Sequence, residues 1–171
     1  MSEPKDFVEI KLTRQSLLYC AKIGVMRHIQ AIADRYGIDE ARNGWQSNID
    51  GVTGEFVVSK WLHIEFEEKI GVVGPGDVGA LEVRSTPWKE GRLLLHSPSK
   101  DNRESIYVLV LLFNMPTYYI AGWCYGKEGQ LKENWRDDIH LARRYSQRPC
   151  YWVEQEALRT PASLLELLRK E

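Results

Sequence analysis

Apolar and polar residues along the chain fall into patches of two-residue and of helical period, and these patches predict the elements. Phe7 to Leu12 alternates, with Phe7, Glu9 and Lys11 against Val8, Ile10 and Leu12, as a half-buried strand does. Thr13 then caps a long helix. Leu17, Ala21, Gly24, Val25, His28, Ile29, Ile32 and Tyr36 have the spacing of one buried face. Lys22, Arg27, Gln30 and Asp34 take the wetter side, and Gly37 is a suitable stop. Residues 38–50, with their Asp, Asn and Gly, read as a loop with Trp45 folded back on the core. A second helix spans Gly51 to Ile64. Phe56, Val57, Val58, Trp61, Leu62 and Ile64 make it apolar around most of its circumference, so it should be buried. Gly51 and Gly54 each cost about 1 kcal/mol against Ala in a helix, which implies a close backbone approach at its start.

Further on, the strand patterns are Ile70 to Val73, Ala80 to Ser85 and Gly91 to His96, then Ile106 to Phe113, Thr117 to Tyr125 and Cys150 to Val153. Ile106 to Phe113 is continuously apolar, the signature of a central strand buried on both faces. Residues 98–104 form a polar loop, 126–129 a turn, and 131–148 a polar, basic stretch with short helical turns at most. Pro161 to Lys170 is a short amphipathic helix with Pro in its first turn. The expected class is α/β or α+β: a central mixed sheet flanked by helices. At 171 residues the expectation is one domain. It divides into an N-terminal strand and helix over 1–50, a core over 51–125 and a C-terminal part over 126–171.

Charge narrows the functional classes. The formal net charge is −1 and the isoelectric point about 6.4, which argues against a nonspecific DNA coat protein but leaves room for a local basic groove. Cys20, Cys124 and Cys150 form no Cys-x-x-Cys pair and read as buried, reduced thiols in a cytoplasmic setting. The first residues carry no apolar signal core, and the run Val108 to Phe113 is too short to cross a membrane.

The stretch with the most chemistry is Pro75 to Thr86. Gly76 and Gly79 mark a turn, and the strand that follows points Glu82 and Arg84 to one face. If the turn bends the chain, Asp77 returns to that face. Two carboxylates converging on one point repel unless a positive charge lies between them, and an oxygen-seeking divalent ion is the common solution.

Asp77-x4-Glu82-x-Arg84 resembles the signature of the PD-(D/E)XK nuclease superfamily, with its restriction-endonuclease-like core. The chain is also similar to small proteins of tailed phages over 24–30, 51–62, 77–86, 107–110 and 120–123. The resemblance implies a Mg²⁺- or Mn²⁺-dependent nuclease of phage or prophage origin, hydrolysing DNA phosphodiester bonds in the host cytoplasm. Asp77, Glu82 and the Val83 carbonyl would hold the ion. Glu55, on the second helix, would bind through water or hold a second ion. The plainer reading of Glu55 is a first-turn acid favoured by the helix dipole. The sequence departs from the superfamily in carrying Arg84 where Lys is usual. Arg84 is then either a phosphate clamp in a live enzyme or a salt-bridge partner at a dead site, on a module that binds nucleic acid or protein without catalysis.

Lys89, Arg92, Lys100 and Arg103 follow the motif and are candidate phosphate contacts. Arg136, Arg143, Arg144 and Arg148 lie among Trp135, Tyr145 and Trp152, which suits either nucleic acid or a solvated surface. The histidines show no zinc-binding spacing. His96 ends a strand near the motif, where a structural role is the simpler reading. No Gly-x-Ser-x-Gly is present and no cysteine has an adjacent histidine.

Overall fold

The computed structural model describes residues 6–34, 40–71, 76–137 and 149–170. It is mixed α+β. A four-stranded sheet has the order β1 (Val8–Lys11), β5 (Thr117–Tyr125), β4 (Ile106–Asn114), β2 (Leu81–Thr86). β2 runs parallel to β4, while β5 is antiparallel to both β4 and β1. A smaller sheet has the order β3 (Leu93–Leu95), β7 (Cys150–Val153), β6 (Trp135–Arg136), antiparallel throughout.

Strand parity sorts the interior into two layers. Leu81, Val83, Val108, Val110, Ile120 and Trp123 pack against residues of α1 (Arg14–Ala33), α2 (Glu40–Leu62) and Leu164 of the C-terminal helix Pro161–Leu168. Tyr107, Leu109, Leu111, Ala121 and Cys124 pack the other way, against Leu93, Leu95 and Val153 of the small sheet. The helices thus cover one face of the main sheet and the small sheet covers the other. β4 is buried on both faces, as its unbroken apolar run requires. Since Leu81 and Val83 face the helices, Glu82 and Arg84 face the small sheet.

Two expectations about the helices need correction. The stretch read as a loop is helical from Glu40 onward, so Gly51 and Gly54 lie inside α2 and not at its start. Tertiary packing overrides the weak propensity of Asn43, Gly44 and Asn48. A Cβ at Gly44 would come within 2.4 Å of the His28 ring, and one at Gly24 within 2.6 Å of the Ile49 Cα, so α1 and α2 approach closely through glycine. Trp45 lies on His28, with ring centroids 4.2 Å apart, and is still 39 % exposed. The second correction is the buried face of α1. It centres on Cys20, Ile23, Gly24 and His28, while Ile29 and Ile32 are exposed.

The remaining long strands and the C-terminal helix fall close to their expected places, but Gly126–Gly129, expected as a turn, is a single helical turn, and Trp135–Arg136, expected to be helical turns at most, is strand β6. Ile70 and Gly71 are not strand, and Val72 and Val73 lie outside the described residues. So do Tyr36, Gly37, Arg143, Arg144, Tyr145 and Arg148. Among the described residues no helix is long and apolar enough to cross a membrane. The three cysteines are buried and form no disulfide with one another.

Candidate functional site

β2 is an edge strand, so alternate backbone groups along it lack a ladder partner. Side chains of the motif supply partners at Val83. The Val83 N–H donates to Asp77 Oδ2 at 2.7 Å, and the Val83 carbonyl accepts from Arg84 Nη1 at 3.2 Å. Asp77 reaches this edge because the chain doubles back. The Asp77 and Val78 N–H groups both donate to the Leu81 carbonyl, and Gly76 and Gly79 adopt φ of +72° and +58°. A Cβ at Gly76 would lie 2.3 Å from the Gly79 carbonyl oxygen, so only glycine fits there.

Three carboxylates therefore approach β2 from three sides. Asp77 lies along its edge, Glu82 on the face toward the small sheet, and Glu55 in the helical layer. Asp77 is electrically central: its charge pushes the pKa of both Glu55 and Glu82 upward, after burial, which is the larger cause for each. Arg84 lowers that of Glu82. Its Nη1 stands 3.9 Å from Asp77 Oδ2 and 3.9 Å from Glu82 Oε2.

The best partner of Arg84 is a residue that the sequence reading passed over. Asp101 is 7 % exposed, accepts from Arg84 Nη2 at 3.0 Å and from the His96 N–H at 2.7 Å, and so ties the end of β3 to β2. Gln130 fixes the same loop by donating to the carbonyls of His96 and Asp101. Arg84 also lies over the Tyr107 ring, 5.2 Å from its centroid. Nothing in the spacing of Ser97-Pro-Ser-Lys-Asp-Asn102 marks Asp101 as buried.

Glu55 is likewise not free. Arg27 of α1 grips both its oxygens, at 2.7 and 2.8 Å, and also donates from Nε and Nη2 to the Glu68 carbonyl. Arg27 had been placed on the wet side of α1. It stands seven residues after Cys20, four after Ile23 and three after Gly24, the spacing of one face, and that signal was present in the sequence. Lys69, next to Glu68, donates to the Gly76 carbonyl at 2.7 Å and to that of Asp77 at 3.4 Å. Arg27 and Lys69 thus connect Glu55 to the turn that carries Asp77. Gly54 lets α2 lie against β2, since a Cβ there would be 2.9 Å from Ser85 Cβ.

Beside this cluster is a cleft of about 310 Å³, and Arg84 belongs to both. Arg92, Leu94 and His96 line it as alternate residues on the outward face of β3, and Trp152, the register partner of Leu94, extends that surface. Trp88 completes it from the connection after β2. Of the four expected phosphate contacts only Arg92 lines the cleft. Lys89, Lys100 and Arg103 are exposed outside it.

Among the described residues no three His, Cys, Asp or Glu side chains form a metal-holding group. What converges on Arg84 Nη1 is two carboxylates and one carbonyl, a hard all-oxygen set that suits Mg²⁺ or Mn²⁺ and not zinc. Asp77, Glu82 and the Val83 carbonyl fit such an ion if the guanidinium gives up its place between them. Glu55, with both oxygens on Arg27, is not in that set. Comparison with known proteins returns no matching family model, no matching curated protein and no matching solved structure.

Proposed function

We propose that this chain is a divalent-metal-dependent phosphodiesterase acting on DNA, in keeping with its resemblance to the PD-(D/E)XK nucleases and to phage proteins, and working in the cytoplasm of a host cell. One observation carries the reading: a single guanidinium, Arg84, both stands between Asp77 and Glu82 and lines the adjacent basic, aromatic cleft. A phosphate entering from the cleft meets Arg84 first, and its two oxygens match the planar fork of the guanidinium.

As Arg84 turns to the phosphate, Asp77, Glu82 and the Val83 carbonyl lose their positive neighbour, and this coupling links substrate entry to metal affinity. Bound Mg²⁺ supplies polarisation of a phosphoryl oxygen and a lowered pKa for water. Asp101 can stay on Arg84 Nη2 while Nη1 leaves the two carboxylates, which keeps the guanidinium aimed at the negative charge that develops on the phosphate.

Plasmid and single-stranded DNA should be cleaved with Mg²⁺ or Mn²⁺ and left intact in EDTA. Asp77→Asn should abolish cleavage. It should cost little stability, because the amide keeps an oxygen for the Val83 N–H. Cleavage unaffected by EDTA, or undiminished Mn²⁺ binding by Asp77→Asn in isothermal titration, overturns the assignment.

A second reading has its own support. Arg84 already stands between the two carboxylates, and Glu55 is closed off by Arg27, so each of the three acids has a cationic neighbour without a metal. On that reading the chain is a module that binds nucleic acid or protein and has lost catalysis. Absence of cleavage with any divalent ion, together with retained DNA binding, selects it.

A further inference from the structure

The cleft beside Arg84 has features that a generic phosphate groove does not need. Trp88 is 61 % exposed, yet its connection is firmly held. The Trp88 N–H donates to Thr86 Oγ1 and the Gly91 N–H to the Trp88 carbonyl, closing a tight loop. Gln155 then staples the loop from across the small sheet, donating to the carbonyls of Lys89 at 2.9 Å and Gly91 at 2.8 Å. Gly91 is where the loop's two ends meet, since a Cβ there would overlap the Thr86 side chain at 2.2 Å. A large apolar ring is thus held out in water by a preorganised loop, at the rim of a cleft with cationic groups below it.

The cleft's volume of about 310 Å³ is at the lower end of small-ligand sites, roughly 300–1,000 Å³. That is room for one nucleotide unit and not for a paired duplex. Its cations are restrained. Arg84 is held by Asp101, and Arg92 lies over the Trp152 ring with its Nε 2.6 Å from Glu154. Affinity for a strand must therefore come from ring stacking more than from charge. Stacking needs a base whose face is free, which a base inside a duplex does not offer.

We propose that the cleft is a subsite for one unpaired nucleotide of a single-stranded nucleic acid, with Trp88 stacking on the base and Arg84, Arg92 and His96 facing its phosphate. This rests on the phosphodiesterase reading for its substrate class. Its test measures binding without metal, so the two can fail separately.

The experiment is fluorescence anisotropy in EDTA, with the full chain and a labelled ten-residue oligothymidylate. The single strand should bind about tenfold or more tightly than a duplex of equal length. Trp88→Ala should weaken it by about tenfold or more, as loss of one stacking ring does, while Trp88→Phe should retain most of the affinity. With one or two phosphates engaged, the logarithm of affinity should fall with that of salt with a slope no steeper than about −1.4. Duplex binding as tight as single-strand binding, no binding of the strand, or an unchanged Trp88→Ala overturns the proposal. Competition by free thymidine monophosphate at the same concentrations as the oligomer overturns it too, because the occupant is then a free nucleotide. If the strand binds as expected but nothing is cleaved with Mg²⁺, the subsite stands and the catalytic reading falls.

Discussion

Arg27→Ala should lower the stability of the fold by about 3–5 kcal/mol, as removal of one partner from a buried ion pair does. The Arg27 and Glu55 side chains are 16 % and 10 % exposed, and the substitution leaves the Glu55 carboxylate in the helical layer with no cation bonded to it. It also releases the Glu68 carbonyl, and with it the segment through which Lys69 holds the Asp77 turn. The deficit should depend on pH, and its sign follows from burial. Burial already raises the Glu55 pKa above its ordinary 4.5 even with Arg27 present; without Arg27 it rises further. Below about 4.5 the carboxyl is neutral in both folded and unfolded chains, so the missing cation costs least. As pH rises through the folded wild-type pKa, which lies above that value, the folded wild type ionises Glu55 beside Arg27 while the folded variant resists, so the deficit grows toward neutrality. Urea unfolding of both proteins at pH 4 and pH 7 measures it. Arg27→Lys should recover only part of the loss, because an ammonium does not reproduce the two-pronged grip. Arg27→Met combined with Glu55→Leu should recover most of it. A loss that is equal at both pH values means that Glu55 is ionised in the variant and solvated by rearrangement.

Arg84→Ala should lower the rate of DNA cleavage on the order of a hundredfold or more, the typical consequence of removing one transition-state donor. A guanidinium stays charged at any working pH and does not serve as a base. Its work is electrostatic, and Arg84→Lys should therefore keep substantial activity. Stability should respond differently. Arg84→Ala leaves the buried Asp101 carboxylate with the His96 N–H but no cation, so it should lower the melting temperature, whereas Arg84→Lys keeps a cation there; rates are compared well below both transitions. The discriminating comparison is between the two substitutions under saturating Mg²⁺. If wild type and Arg84→Lys are both inactive on single-stranded and duplex DNA, and Arg84→Ala changes only the melting temperature, Arg84 is a structural tie and the binding-module reading holds.

The longer strands were legible in the sequence because they have a strong period and clear ends, whereas two-residue β6 was missed and the strand expected at Ile70 is absent there. Ile106 to Phe113 and Thr117 to Tyr125 are apolar or aromatic enough that no other element suits them. The turn at Gly76 and Gly79 was legible too, since glycine with positive φ was the one way to bring Asp77 back to β2. What was not legible depends on contacts distant in sequence. Gly44 looks like a loop residue until α1 lies across it and needs its small size. Arg27 looks solvated if scored by residue type, although its spacing from Cys20, Ile23 and Gly24 turns it inward. Asp101 gives no local sign, because its burial comes from Arg84, His96 and Gln130, which come from three other elements. Sequence pattern thus located the carboxylates and missed the cationic and hydrogen-bonding groups that hold them, Arg27, Lys69 and Asp101.

The position of β4 has a consequence during synthesis. It is the most apolar strand of the main sheet and lies between β2, made before it, and β5, made after it. Until β5 has left the ribosome, one edge of β4 presents unpaired backbone beside bare Val, Leu and Tyr side chains, a template for pairing with another nascent chain. β1 cannot shield it early, because Val8 finds its register only on Ile120. Slowing elongation across the codons for residues 106–125 should therefore raise the fraction of chains lost to aggregation, and speeding it should lower that fraction.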